Sequence, residues 1–153
     1  METLPAPTGV IVADDDAMIR SIVRANLEAV GLEVFLAYNG QEAVTLASRM
    51  RASLVILDIK MPKLDGLLAC AQIRKLPGYE TTPIVMLTFD DREWAQTKAS
   101  RAGATMFLVK PFGSAALMLA LSEYLPLDET TRQTIQANAV RAAGGKAFAK
   151  MRS

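Results

Sequence analysis

The sequence has no histidine and a single cysteine, and its 153 residues set 17 lysines and arginines against 16 aspartates and glutamates. Without histidine the commonest general base is missing, together with the Ser-His and Cys-His nucleophile pairs. Any chemistry must therefore rest on carboxylates, hydroxyls and lysine. One cysteine excludes a disulfide within the chain, and Cys70 falls in a helical apolar pattern with Leu67, Leu68 and Ala71, as a small core residue does. A formal net charge of +1 gives no global basic field, so nucleic acid is not an expected partner. Nowhere do about 18 apolar residues run together, and residues 1–8 hold two prolines and no apolar h-region. Neither a membrane span nor a secretory leader is expected, and the expected compartment is the cytoplasm.

What is present is a hydrophobic fraction of 51%, enough for one good core and no second full domain. The division expected is a tail over 1–8, a domain over 9–125 and a C-terminal helical extension with its tail over 126–153. Residues 9–13 (GVIVA) read as a buried strand, followed by Met18, Ile19, Ile22, Val23, Leu27 and Val30 at helical spacing up to Gly31. Further strands are expected over 33–38, 53–57, 84–87 and 104–109. The helices between and after them span 41–51, about 64–76, 90–102 and 115–125. Strands alternating with helices give an α/β fold, a doubly wound five-stranded parallel sheet with helices on both faces.

One stretch, LVILDIKMPKLDG over 54–66, raises the question of function. An apolar run suited to a strand buried on both faces stops at Asp58, where a charge is expensive unless something uses or neutralises it. A plain strand followed by a helix cap would also account for it. The other strand ends weigh against the plain account. In such sheets ligands sit at the carboxyl ends of the strands. That rim receives Asp14, Asp15 and Asp16 from the first strand, Asp58 from the third, Thr88 from the fourth and Lys110 from the fifth.

Converging carboxylates repel one another and must share protons or hold a hard cation. Mg²⁺ suits Asp14, Asp15 and Asp58, because it takes few protein ligands and leaves room for phosphate oxygens. A carboxylate can be the nucleophile of phosphoryl transfer. Asp58, alone on the central strand, is the candidate, with Lys110 neutralising charge and the Thr88 hydroxyl donating to a phosphoryl oxygen.

DDD after the first strand, D-x-x-M-P-x-x-D-G from Asp58 to Gly66, Thr88, and the K-P-F beginning at Lys110 together resemble the receiver domain of two-component response regulators. The resemblance covers residues 9–125 and is closest to single-domain regulators of chemotaxis type. It implies a flavodoxin-like sheet of order 2-1-3-4-5. Asp58 would be the phosphoacceptor, with Asp14, Asp15 and the backbone carbonyl of Lys60 on Mg²⁺, and Thr88 and Lys110 on the phosphoryl group. The donor would be a histidine kinase or phosphotransfer protein, and the output a protein-protein contact through the fourth helix, fifth strand and fifth helix. Such a domain accepts a phosphoryl group and is not an enzyme. Phe107 would stand at the position of the family's switch aromatic, or serve as plain core.

Departures from the pattern gather at the mouth of the site. The residue after Thr88, usually small in the family, is Phe89, while Lys60 and Asp90 fall where they could pair across the entrance. These three are expected to modulate phosphorylation and dephosphorylation rates, or else to be ordinary loop residues. A pseudo-receiver, an interaction module independent of phosphorylation, is the main alternative. Haloacid-dehalogenase-like hydrolases want a second aspartate where Lys60 stands, and a nucleotide cradle would need glycines and hydroxyls where DDD stands. The extension is too short for a DNA-binding output domain. Its sparse stripe (Leu127, Thr131, Ile135, Ala139, Ala142) reads as a frayed appendix or as an arm packing on a second copy to give a homodimer.

Overall fold

Successive residues of a strand face opposite sides of a sheet, and here both sides are apolar. In the computed structural model, which describes residues 6–89, 93–142 and 148–150 (the last as backbone), β1 (Val10–Ala13), β2 (Val34–Ala37), β3 (Leu54–Asp58), β4 (Ile84–Thr88) and β5 (Met106–Val109) pair in parallel. Their order is β2-β1-β3-β4-β5. Ile11, Val55, Leu57, Met86 and Phe107 pack on one face with Ala43 and Ala47 of α2 (Gly40–Arg49), Cys70 and Ile73 of α3 (Gly66–Arg74) and Ala99 of α4 (Glu93–Ala102). Val10, Val12, Ile56, Val85 and Leu108 pack on the other with Val23 and Leu27 of α1 (Ala17–Ala29) and Leu117 and Leu121 of α5 (Ser114–Ser122). The central strands are therefore sealed on both sides, and what they expose is their ends.

Helix starts follow the local chemistry of the sequence. Asp16, Asn39 and Asp65 accept the backbone N–H groups of Met18, Glu42 and Leu68 at 2.8, 2.9 and 2.9 Å, each cap contributing about 1 kcal/mol. Gly31, at φ 85°, closes α1 with paired bonds from Gly31 N to Glu28 O and from Leu32 N to Leu27 O, a conformation that costs glycine least. Among the described residues no helix is long and apolar enough to cross a membrane.

The extension corrects the expectation of a frayed appendix. Helix α5 is apolar almost all round, so its outer side needs a cover. A further helix, α6 (Glu129–Arg141), capped by Asp128, supplies it and buries Ile135 in the same core. The Arg132 guanidinium donates to the carbonyl of Ser122, the last residue of α5, which its own ladder leaves unpaired, and to that of Leu125 just beyond the helix. Of the extension's stripe, Leu127 and Ile135 are met within the chain, while Ala142 at its far end stays exposed. A short strand, β6 (Phe148–Lys150), then pairs antiparallel with the outer edge of β5, a sixth strand that the apolar pattern does not announce.

Candidate functional site

The sheet register assembles the rim. Ala13 pairs with Leu57, Asp58 with Leu87 and Thr88 with Val109, so Asp14, Asp58, Thr88 and Lys110 fall within a step or two of one another at the carboxyl ends of four adjacent strands. All four are buried, although each is polar or charged. They line a cleft of about 320 Å³ together with Asp15, Asp16, Ile59, Lys60 and Phe89.

Lys110 is the hub. Its Nζ donates to Asp14 Oδ2 at 2.8 Å and to Asp58 Oδ1 at 3.2 Å, with all three side chains at most 10% exposed. The other oxygen of Asp14 accepts the Asp16 backbone N–H at 2.9 Å, which fixes the carboxylate from behind. One carboxylate oxygen each of Asp14, Asp15 and Asp58 lies within 4.8 Å of the others. Three carboxylates against one ammonium leave two negative charges facing the cleft, a donor set and charge suited to a hard dication with water completing its shell.

Burial drives the Asp58 carboxyl up to about 6, and repulsion from Asp14 adds to it, while the attraction and hydrogen bond of Lys110 oppose both. Burial also works against the charge on Lys110. Its bond to Asp14 and the attraction of Asp58 outweigh that, and the ammonium titrates above its ordinary range.

The folded chain holds the Asp58 proton more tightly than the unfolded chain does. The contribution of this group to stability is therefore complete below about pH 4 and is lost as pH rises through about 6. Asp58→Asn removes that penalty and is expected to stabilise the metal-free chain at pH 7 by about 1–2 kcal/mol, less than the full shift implies because the cleft is open to water on one side. The difference from wild type should vanish between pH 6 and 4, and chemical denaturation at both ends of that window measures it.

Every described rim residue expected from the sequence, Asp14, Asp15, Asp16, Asp58, Lys60, Thr88, Phe89 and Lys110, lies in this cleft. Phe107 sits in the core beneath it, 2% exposed and away from the lining. Asp90 lies outside the described residues, and with it the pairing to Lys60, whose own side chain is exposed. Two features carry no plain sequence signal. Arg20 donates to the Asp14 carbonyl at 2.7 Å while its guanidinium stacks 4.3 Å from the Tyr38 ring centroid. Lys63 takes φ 67° in a tight turn closed by Leu64 N to Pro62 O at 2.7 Å, which shapes the loop after Asp58.

A 2-1-3-4-5 parallel sheet with an acidic, lysine-bridged cleft on its carboxyl rim is the architecture of CheY-like signalling domains. Residues 10–122 match the family model of the response regulator receiver domain, and the chain belongs to that family. Among its relatives, protein PilG of Pseudomonas aeruginosa is 32% identical over 117 residues, 76% of this chain and 87% of PilG. The probable transcriptional regulator ycf27 of Porphyra purpurea is 40% identical over 103 residues, 67% of this chain and 41% of its own length. Chemotaxis protein CheY4 of Vibrio cholerae superposes with a TM-score of 0.74 at 34% identity, covering 78% of this chain and all of that one. The receiver domain of a sensor histidine kinase from Pseudomonas aeruginosa, solved with a magnesium ion in its active-site cleft, does so with a TM-score of 0.71 at 28% identity, covering 78% and 98%.

Proposed function

We propose that the chain is a phosphorylation-controlled switch in the cytoplasm, with Asp58 as its phosphoacceptor. The observation that carries this reading is the position of Asp58. It ends the central strand, accepts a bond from Lys110 and stands beside two further carboxylates in an open cleft.

In the transfer, an Asp58 oxygen attacks phosphorus. The new O–P bond forms as the P–N bond to a donor imidazole breaks, and the electron pair leaves with the imidazole nitrogen. The donor is a histidine kinase or a phosphotransfer protein. Lys110, already within 3.2 Å of the nucleophile, stabilises charge on the transferred group, and the Thr88 hydroxyl donates to one of its oxygens. Asp14, Asp15 and Asp58, with the backbone carbonyl of Lys60, are the groups that would hold Mg²⁺. Bound there, it would supply positive charge against the phosphoryl oxygens. The domain acts as phosphoacceptor and not as a turnover enzyme, and the acyl phosphate shifts an existing equilibrium of the surface formed by α4, β5 and α5 toward binding an unidentified downstream protein. Phe107, buried on β5, would change its packing with that shift.

Incubation with Mg²⁺ and acetyl phosphate tests this. A single added phosphoryl mass, absent in Asp58→Asn and absent when the metal is chelated, is the expected result. If no adduct forms and Mg²⁺ does not bind, the chain is instead an interaction module that works without phosphorylation.

A further inference from the structure

We infer that Phe89 is a donor-selecting gate: its ring, over the Lys110 ammonium, narrows the mouth of the cleft against small free phosphodonors and yields to a macromolecular one. The inference rests on the phosphoacceptor reading of Asp58 and names what regulates that site. Phe89 directly follows β4, whose end is pinned by Ile59 N to Leu87 O at 3.0 Å and Lys110 N to Thr88 O at 2.6 Å, so the ring starts from a fixed point on the rim. It lines the cleft, and its ring centroid lies 5.1 Å from Lys110 Nζ, within reach of a cation–π contact. Phe89 is 75% exposed, so the ring projects at the mouth of the cleft with little packed against it to hold it there.

The ammonium is therefore bounded by Asp14, Asp58 and the face of an aromatic ring. A phosphoryl oxygen that is to reach Lys110 must come in past that ring. The negative π face holds the cation and disfavours the approaching anion. A small donor reacts only with the fraction of molecules whose ring has swung out, so its apparent rate falls by that fraction. A protein donor touches surface far from the reacting atoms and can use that binding to displace the ring.

The test follows the Asp58 adduct over time with Mg²⁺ and acetyl phosphate, in which the O–P bond to Asp58 forms as the P–O bond to acetate breaks and the pair leaves with acetate. Phe89→Ala is expected to react about tenfold faster than wild type. Phe89→Leu, which keeps bulk and loses the π face, should lie between them, and Phe89→Tyr, which keeps both, should match wild type. Mg²⁺ affinity by calorimetry should stay within about twofold throughout. Equal rates in Phe89→Ala and wild type overturn the gate and leave the phosphoacceptor reading standing. A rate gain matched by an equal gain in Mg²⁺ affinity also overturns it, by placing the effect at the metal ligands. No adduct in any variant, or an adduct that survives Asp58→Asn, overturns the phosphoacceptor reading itself.

Discussion

Lys110→Met is expected to destabilise the chain at pH 7 by about 3–5 kcal/mol, the range for removing one partner of a buried ion pair, despite methionine filling much of the same space. The reason is what stays behind. Asp14 is fully buried and Asp58 nearly so, and both lose the ammonium now 2.8 and 3.2 Å away. The loss has a pH signature that simple misfolding would not share. Lys110 holds down an Asp58 carboxyl that burial and Asp14 have already pushed up to about 6, so without it that carboxyl titrates higher still. A raised carboxyl favours the folded state at low pH and is felt as a penalty when pH climbs through it. The variant should therefore lose stability more steeply than wild type between pH 5 and 8, and be closest to it at the acid end. Millimolar Mg²⁺ should restore part of the deficit, since binding to the folded state alone adds stability and a dication against three carboxylates replaces the missing positive charge. Urea midpoints at pH 5 and 8, with and without Mg²⁺, check all three parts. A deficit indifferent to pH and to Mg²⁺ would mean that Lys110 matters for packing alone.

The residues of the cleft could be read from the sequence because each is a polar interruption at the end of an apolar run. Asp14 after VIVA, Asp58 after LVIL, Thr88 after IVML and Lys110 after MFLV announce themselves, and strand order places them side by side. The caps at Asp16, Asn39 and Asp65 are local in the same way, each a short polar side chain bonded to a backbone N–H two or three residues on. Features that depend on what lies across the molecule were not legible. The stripe on α6 is too sparse to say which surface it serves, and only the all-round apolar character of α5 hints that the cover is needed within the chain. Strand β6 has three residues, too few to show a period, and its place is set by the open edge of β5. Arg20 looks like any exposed helix arginine until Tyr38 and the Asp14 carbonyl are brought beside it. The aromatic contact of Phe89 belongs with these: the sequence shows a large residue after Thr88, but the contact depends on Lys110 arriving from the next strand.

The glycine of the Asp65-Gly66 pair illustrates the same limit, and substituting it should have a large effect. In sequence it is a turn signal; in the structure it is a point of close approach. A Cβ on Gly66 would lie 2.0 Å from the Asp58 carbonyl oxygen and 2.8 Å from its carbon, with Gly66 N already bonded to Ile59 O at 2.7 Å. Backbone cannot yield as a flexible side chain can, so either α3 must lift off the sheet or the end of β3 must move. Gly66→Ala is accordingly expected to cost about 3 kcal/mol or more, a fall of roughly 10 °C in Tm for a chain of this size. Gly113→Ser is the matched contrast. Nothing lies within 4 Å of a Cβ there, and Gly113 caps α5 with no side-chain bond, so serine should be neutral or stabilise by about 0.5–1 kcal/mol. The functional consequence of Gly66→Ala should exceed the stability loss. The residue it displaces is Asp58, so even where the variant is folded at low temperature its adduct should form at least tenfold more slowly, because the nucleophile no longer meets Lys110 and the neighbouring carboxylates in register. A variant that melts early yet accepts the phosphoryl group at the wild-type rate would show instead that the loop absorbs the clash and that the position of Asp58 is set from β3 alone.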